Sequence, residues 1–189
     1  MAITRAVASS ITQGLPKRKT ILAGNSTILP GSYESIQTVT VGAGGSSTIT
    51  FSSIPSTYKH LQLRMLRKTL ADVNPLFTFN SDSTGSYINH YIYGNGTSAF
   101  GGANSPSSTS AVMTYCGNNW GAGIIDILDY ANTNKTKVIR ELGGADLNGS
   151  GNIILSSNLW NKTNAISSIQ ITTTSNFQQY SSFALYGIL

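Results

Sequence analysis

Ile124–Leu142 reads IIDILDYANTNKTKVIREL. Two runs rich in isoleucine, leucine and valine flank Ala131-Asn132-Thr133-Asn134, a cluster of turn formers. That is the pattern of a β-hairpin, with strands over 123–130 and 136–142 and a turn over 131–134. Six charged residues fall inside it: Asp126, Asp129, Lys135, Lys137, Arg140 and Glu141. The whole chain has only 12 basic and 7 acidic residues, so this density needs a reason. Acids gather in the first arm, bases in the turn and second arm. Opposite charges can then pair across the strands and help to set the register. Asp126 opposite Arg140 is the pair this hairpin predicts. Asp126 and Asp129 are three apart on a strand and point to opposite faces, so by themselves they cannot form a catalytic acid pair. Asp126 with Glu141 remains open across the hairpin.

The same texture runs through the chain from Tyr33 onward. Strand-like runs are predicted near 33–41, 47–51, 58–66, 76–80, 87–93, 111–116, 123–130, 136–142, 152–156, 166–173 and 180–188. In Tyr58–Met65, Leu61, Leu63 and Met65 face one way and His60, Gln62 and Arg64 the other, so one face is buried and one is wet. The C-terminal run Ser182–Leu189 is apolar on both faces, which suits a central strand or one covered by a neighbouring subunit. The stretch 98–110, SAFGGANSPSSTS, is low in complexity and is predicted to be a mobile loop. Short strands between turn clusters predict an all-β fold, an antiparallel β-sandwich of jelly-roll-like form.

Charged residues make up 10% of the 189 residues, well below the usual share of about 25%. Ser, Thr, Asn and Gly fill the gap. The net charge of +5 is concentrated at the front: Arg5, Lys17, Arg18 and Lys19 precede any acid. Residues 20–189 carry eight bases against seven acids, so no basic patch for nucleic acid is expected on the body. Ile3, Val7 and Ile11 recur at helical spacing before Gly14 and Pro16, and Pro30-Gly31 closes the segment. Residues 1–30 therefore read as a basic arm or anchor, and 31–189 as the β-sandwich domain. No signal peptide or membrane span is expected.

Little in the sequence suggests chemistry. The single Cys116 excludes an internal disulfide and reads as a small core hydrophobe. His60 and His90 are the only histidines, and neither HxH, HExxH nor GxSxG occurs. Asp146–Gly151, DLNGSG, imitates the start of a calcium loop, but Ser157 stands where a bidentate Glu belongs, so a plain turn is preferred. No cofactor or metal is expected. Trp120 and Trp160 each lie beside asparagines near strand ends, where an indole can stack on a sugar or cap a sandwich core.

Three blocks carry a resemblance: Phe51–Arg64 (FSSIPSTYKHLQLR), Ile125–Lys135 (IDILDYANTNK) and Tyr180–Ile188 (YSSFALYGI). In order and spacing they resemble a family of small virion structural proteins of tailed bacteriophages, across roughly residues 47–189. The resemblance implies a non-enzymatic β-rich module on the particle. The expectation is a capsid decoration, or cement, protein that binds the major capsid protein or other virion proteins through Arg5, Lys17, Arg18 and Lys19, and that forms a homotrimer on the outer surface of the head. The alternative is a tail or fibre component that binds host-surface glycans through Trp120 and Trp160. A glycan-processing enzyme ranks well below both, because it needs a convergent acid pair.

Overall fold

The computed structural model describes residues 32–146 and 150–189. The arm 1–30, with Arg5, Lys17, Arg18 and Lys19, lies outside the described residues, as does the middle of the calcium-loop imitation. Among the described residues there are twelve strands and no helix: β1 (Tyr33–Thr40), β2 (Ser46–Phe51), β3 (His60–Arg67), β4 (Leu76–Phe79), β5 (Tyr87–Gly94), β6 (Ala99–Ser108), β7 (Ala111–Val112), β8 (Gly121–Ile127), β9 (Lys137–Asp146), β10 (Gly151–Trp160), β11 (Ile169–Phe177) and β12 (Ser182–Ile188). They form two antiparallel sheets, an eight-stranded one in the order β1-β12-β3-β8-β9-β10-β5-β6 and a four-stranded one in the order β2-β11-β4-β7. The chain passes repeatedly from one sheet to the other, and the sheets pack face to face. The fold is an all-β antiparallel sandwich.

Alternation places the core. Leu61, Leu63 and Met65 of β3 point inward, as do Ile125 and Ile127 of β8 and Phe183 and Leu185 of β12. Phe51, Phe77, Phe79, Ile169 and Ile171 meet them from the smaller sheet. Each such side chain contributes about 1.5–3 kcal/mol by leaving water. Cys116 is buried and free.

The three resembling blocks are one structural unit. β3 lies between β8 and β12 and pairs with both. The Tyr130 hydroxyl donates to the Pro55 carbonyl and accepts the Tyr58 N–H at 3.4 Å. Tyr58 in turn lies over Gly187, where an added Cβ would sit 2.2 Å from the ring. Only glycine permits that approach.

The predicted hairpin exists, with β8 and β9 in the expected register and Asp126 opposite Arg140. The strands begin and end elsewhere than predicted, and residues 128–136 form the connection. Lys137 is buried in it, and its Nζ donates to the carbonyls of Lys135 at 2.7 Å and Thr163 at 3.0 Å. Asp129 takes a left-handed φ of 48° and pairs with Lys135 at 2.8 Å.

The strand expected near 111–116 shrinks to Ala111–Val112, and a second expectation fails outright. Most of the stretch 98–110 is not a loop: residues 99–108 are β6, the edge strand paired with β5. Its poverty in large side chains fits the position. The Tyr91 hydroxyl lies where a Cβ on Gly102 would be, 2.7 Å away, so bulk at Gly102 would collide with it. Pro106 lacks the N–H that a central strand needs and is tolerated at an edge.

Candidate binding cleft

The four-stranded sheet is too narrow to cover its partner. Its last strand, β7, is two residues long. Beyond it the inner faces of β5 and β10 open into a cleft of ≈ 420 Å³, roofed by the segment 112–115. The alternation of β5 sends Ile88, His90 and Ile92 outward and Asn89, Tyr91 and Tyr93 inward. β10 adds Asn152, Ile154 and Ser156, and the roof adds Tyr115. Phenols, amides and hydroxyls supply the polar groups, and among the described residues no formally charged side chain lines the cleft.

Two polar networks hold this lining. Asn89 Nδ2 donates to Asn158 Oδ1 at 2.8 Å, and Asn158 Nδ2 donates to Ser156 Oγ at 3.3 Å. Behind the roof lie two enclosed charges, Arg67 and Glu141. Thr114 sits between them: its N–H and Oγ1 donate to the Glu141 carboxylate at 2.9 and 2.7 Å, and its carbonyl accepts from Arg67 Nη2 at 2.6 Å. Arg67 Nη2 is 3.6 Å from Glu141 Oε1. Burial pushes the Glu141 carboxyl above its ordinary pKa, against the opposing pull of Arg67 and Thr114. Gly143 makes the close packing possible, since a Cβ there would fall 2.4 Å from Thr114 Oγ1. At the mouth, burial and a hydrogen bond shared with Asp72 push the Tyr115 phenol up to about 12.

Two atoms of the lining residues are left over. Asn89 Oδ1 and Asn152 Oδ1 are enclosed and have no hydrogen-bond partner among the described residues. Each such group costs about 1–3 kcal/mol while unmet.

The predicted tryptophan pair is not brought together. Trp160 is 2% exposed, packed against Phe79 and Tyr87 at centroid distances of 5.5 and 6.5 Å, with Nε1 donating to Asp82 at 2.7 Å. Its ring is occupied by the core, so it is removed from the glycan-binding residues. Trp120 is 42% exposed and lines a shallow depression on the other side of the large sheet, with Leu66, Ile124, Leu142 and Ile153. Asp126 and Glu141 lie on opposite faces of their hairpin and are no acid pair. Among the described residues no group of three His, Cys, Asp or Glu is placed to hold a metal ion.

Sequence reasoning missed the cleft. The signal was present in Asn89-His90-Tyr91-Ile92-Tyr93, whose odd positions put an amide and two phenols on one face. Comparison with family models, with curated proteins and with solved structures gives no match.

Proposed function

We propose that the chain is a non-enzymatic structural protein of a tailed-bacteriophage virion, a decoration or cement protein of the head. What carries this reading is the way the three resembling blocks interlock. β3, β8 and β12 are neighbours, tied at one end by Pro55, Tyr58, Tyr130 and Gly187. Blocks far apart in sequence thus pack as one unit, which supports reading them together. The basic arm would contact the shell through Arg5, Lys17, Arg18 and Lys19, and the sandwich would project from it.

The outer face of the eight-stranded sheet supports an assembled state. Ile124, Leu142, Leu155 and Ile92 stand side by side on four successive strands, 42%, 50%, 48% and 60% exposed. A contiguous apolar row of this kind favours contact with another molecule over contact with water. The neighbouring row carries both signs of charge, Asp126 and Arg140, so the face can meet a complementary surface on another copy. Self-association, as a trimer, is part of the proposal.

A cryo-EM map of the intact particle tests it. Density for this sandwich at regular capsid positions is expected, and deletion of residues 2–19 should abolish capsid binding while leaving the sandwich folded. A second reading, a tail or fibre component that binds host-surface glycans, is favoured by the exposed indole of Trp120. Density on the tail alone would select it, and absence of the chain from the particle would end both.

A further inference from the structure

The cleft between β5 and β10 differs from the Trp120 depression in chemistry. Its ≈ 420 Å³ falls in the range of small-molecule sites, about 300–1,000 Å³. Tyr91 and Tyr93 stand on its β5 wall with ring centroids 6.2 Å apart. The aromatic surface then continues outward, because Tyr93 stacks on Phe100 of β6 at 4.9 Å with the rings 20° apart. Phe100 is 45% exposed. A ligand could therefore begin in the cleft and extend along the sheet edge.

Charge narrows the ligand class. A phosphorylated or carboxylated ligand needs a cation in the lining, and among the described residues none is there. Just outside it, Arg67 and Glu141 lie enclosed behind Thr114, each charge facing the other, and the charge beside Tyr115 is the Asp72 carboxylate, which repels an anion. Amides both donate and accept, and so do sugar hydroxyls. A pyranose ring also has C–H-rich faces, which pack against the faces of phenol rings. The unmet Oδ1 atoms of Asn89 and Asn152 want donors, and the amide torsion is soft enough for a small rotation to present either one to the cleft.

We infer that this cleft is a binding site for a neutral saccharide, seated on Tyr91 and Tyr93, hydrogen-bonded by the Asn89 and Asn152 amides, and continued over Phe100 when the chain is longer. The site is separate from Trp120 and holds for a module on the head as well as on the tail.

The test uses the full chain on an array of neutral oligosaccharides, ending in hexoses or N-acetylhexosamines, beside sialylated and uronic ones. Hits are then titrated by calorimetry. A neutral oligosaccharide should bind. Tyr93→Ala and Asn152→Ala should each weaken it by roughly tenfold, the loss expected for one stacking or hydrogen-bonding partner, and Trp120→Ala should leave it unchanged. Because Tyr93→Ala can loosen β5, the wild-type chain carrying 3-fluorotyrosine is titrated in parallel by fluorine NMR. The Tyr91, Tyr93 and Tyr115 resonances should move while Tyr33 and Tyr180 stay. The inference is overturned by no neutral ligand, by binding of acidic glycans alone, or by movement of none of the three cleft tyrosines. Loss of binding in Trp120→Ala alone would also overturn it, while leaving the second reading of the protein's function intact.

Discussion

Asp126 and Arg140 form one registered pair across β8 and β9, yet the Asp126 carboxylate is held by Gln62 of β3, whose Nε2 donates to it at 2.8 Å. Gln62 is itself fixed, its Oε1 accepting from Arg64 Nε at 2.6 Å. Arg64 lies between the rings of Tyr33 and Tyr186, 5.0 Å from each centroid. Among the described residues no ion pair joins Asp126 to Arg140. The charge in the hairpin thus has three uses: Lys137 and Glu141 turn inward, Asp129 and Lys135 close the turn, and Asp126 joins a row of polar groups on the outer face.

Two double-mutant cycles on stability separate these roles. The Gln62–Asp126 cycle should show a coupling of about 1 kcal/mol, as for a hydrogen bond to a charged group that is partly screened. The Asp126–Arg140 cycle should fall at the lower end of the cross-strand range, about 0.2–1 kcal/mol. A larger coupling for Asp126 with Arg140 than with Gln62 would contradict this ordering.

How much of this was legible in the sequence depends on what carried the signal. The hairpin register was readable because the turn formers 131–134 centre the two runs and acids in one arm face bases in the other, and Asp126 met Arg140 as that required. β6 was not, because an edge strand pressed by Tyr91 has the small-residue composition of a loop. Trp160 was ambiguous, since an indole at a strand end serves a core and a sugar equally well. Arg67 and Glu141 could have been found: they continue the inward alternation of Leu63–Met65 and of Ile139. They were passed over because charge at an inward position needs a partner, and Thr114 comes from a segment whose placement the sequence does not encode locally.

That buried pair makes a sharp stability prediction. Glu141→Ala leaves the Arg67 guanidinium enclosed and opposed by nothing, and should destabilise by about 3–5 kcal/mol in urea unfolding. Replacing both, as Arg67→Met with Glu141→Leu, should recover most of that loss. A double variant as unstable as the single one would show that packing against Thr114, not charge, is what matters.

Asp82 sets an acid limit. Burial alone would raise its carboxyl, but hydrogen bonds from Thr84 and the Trp160 indole outweigh burial and hold it at about 2, below its ordinary 3.8. A folded-state pKa depressed in this way gives stability that is fully present above about 4 and is lost as the pH falls toward 2. The loss should be on the order of 1 kcal/mol after screening by solvent. Trp160→Phe, which keeps the ring and removes the N–H donor, should shrink that acid-dependent component. An unchanged pH profile in the variant would dissociate Asp82 from Trp160.

Gly187 is the tightest point between the resembling blocks. Gly187→Ala should cost about 1–3 kcal/mol, because the new methyl meets the Tyr58 ring. Adding Tyr58→Leu should return part of it by removing the obstructing ring. If Gly187→Ala melts at the wild-type temperature, the close approach does not constrain the unit.

The outer apolar row gives the assembly prediction. Ile124 and Leu142 are adjacent across β8 and β9 and about half exposed, so a lysine at either position meets solvent in the monomer. Ile124→Lys and Leu142→Lys should therefore change the stability of the isolated chain by no more than about 0.5 kcal/mol. In a self-associated state the same ammonium would be trapped against Leu155 and its counterpart on the next copy, and an unpaired buried charge is heavily penalised. Light scattering behind size-exclusion chromatography should show wild-type oligomer and variant monomer at matched concentration, with circular dichroism showing both folded. Lysine variants that stay oligomeric would put the contact between copies on another face. A wild-type chain that is monomeric at every concentration tested would remove self-association through this row.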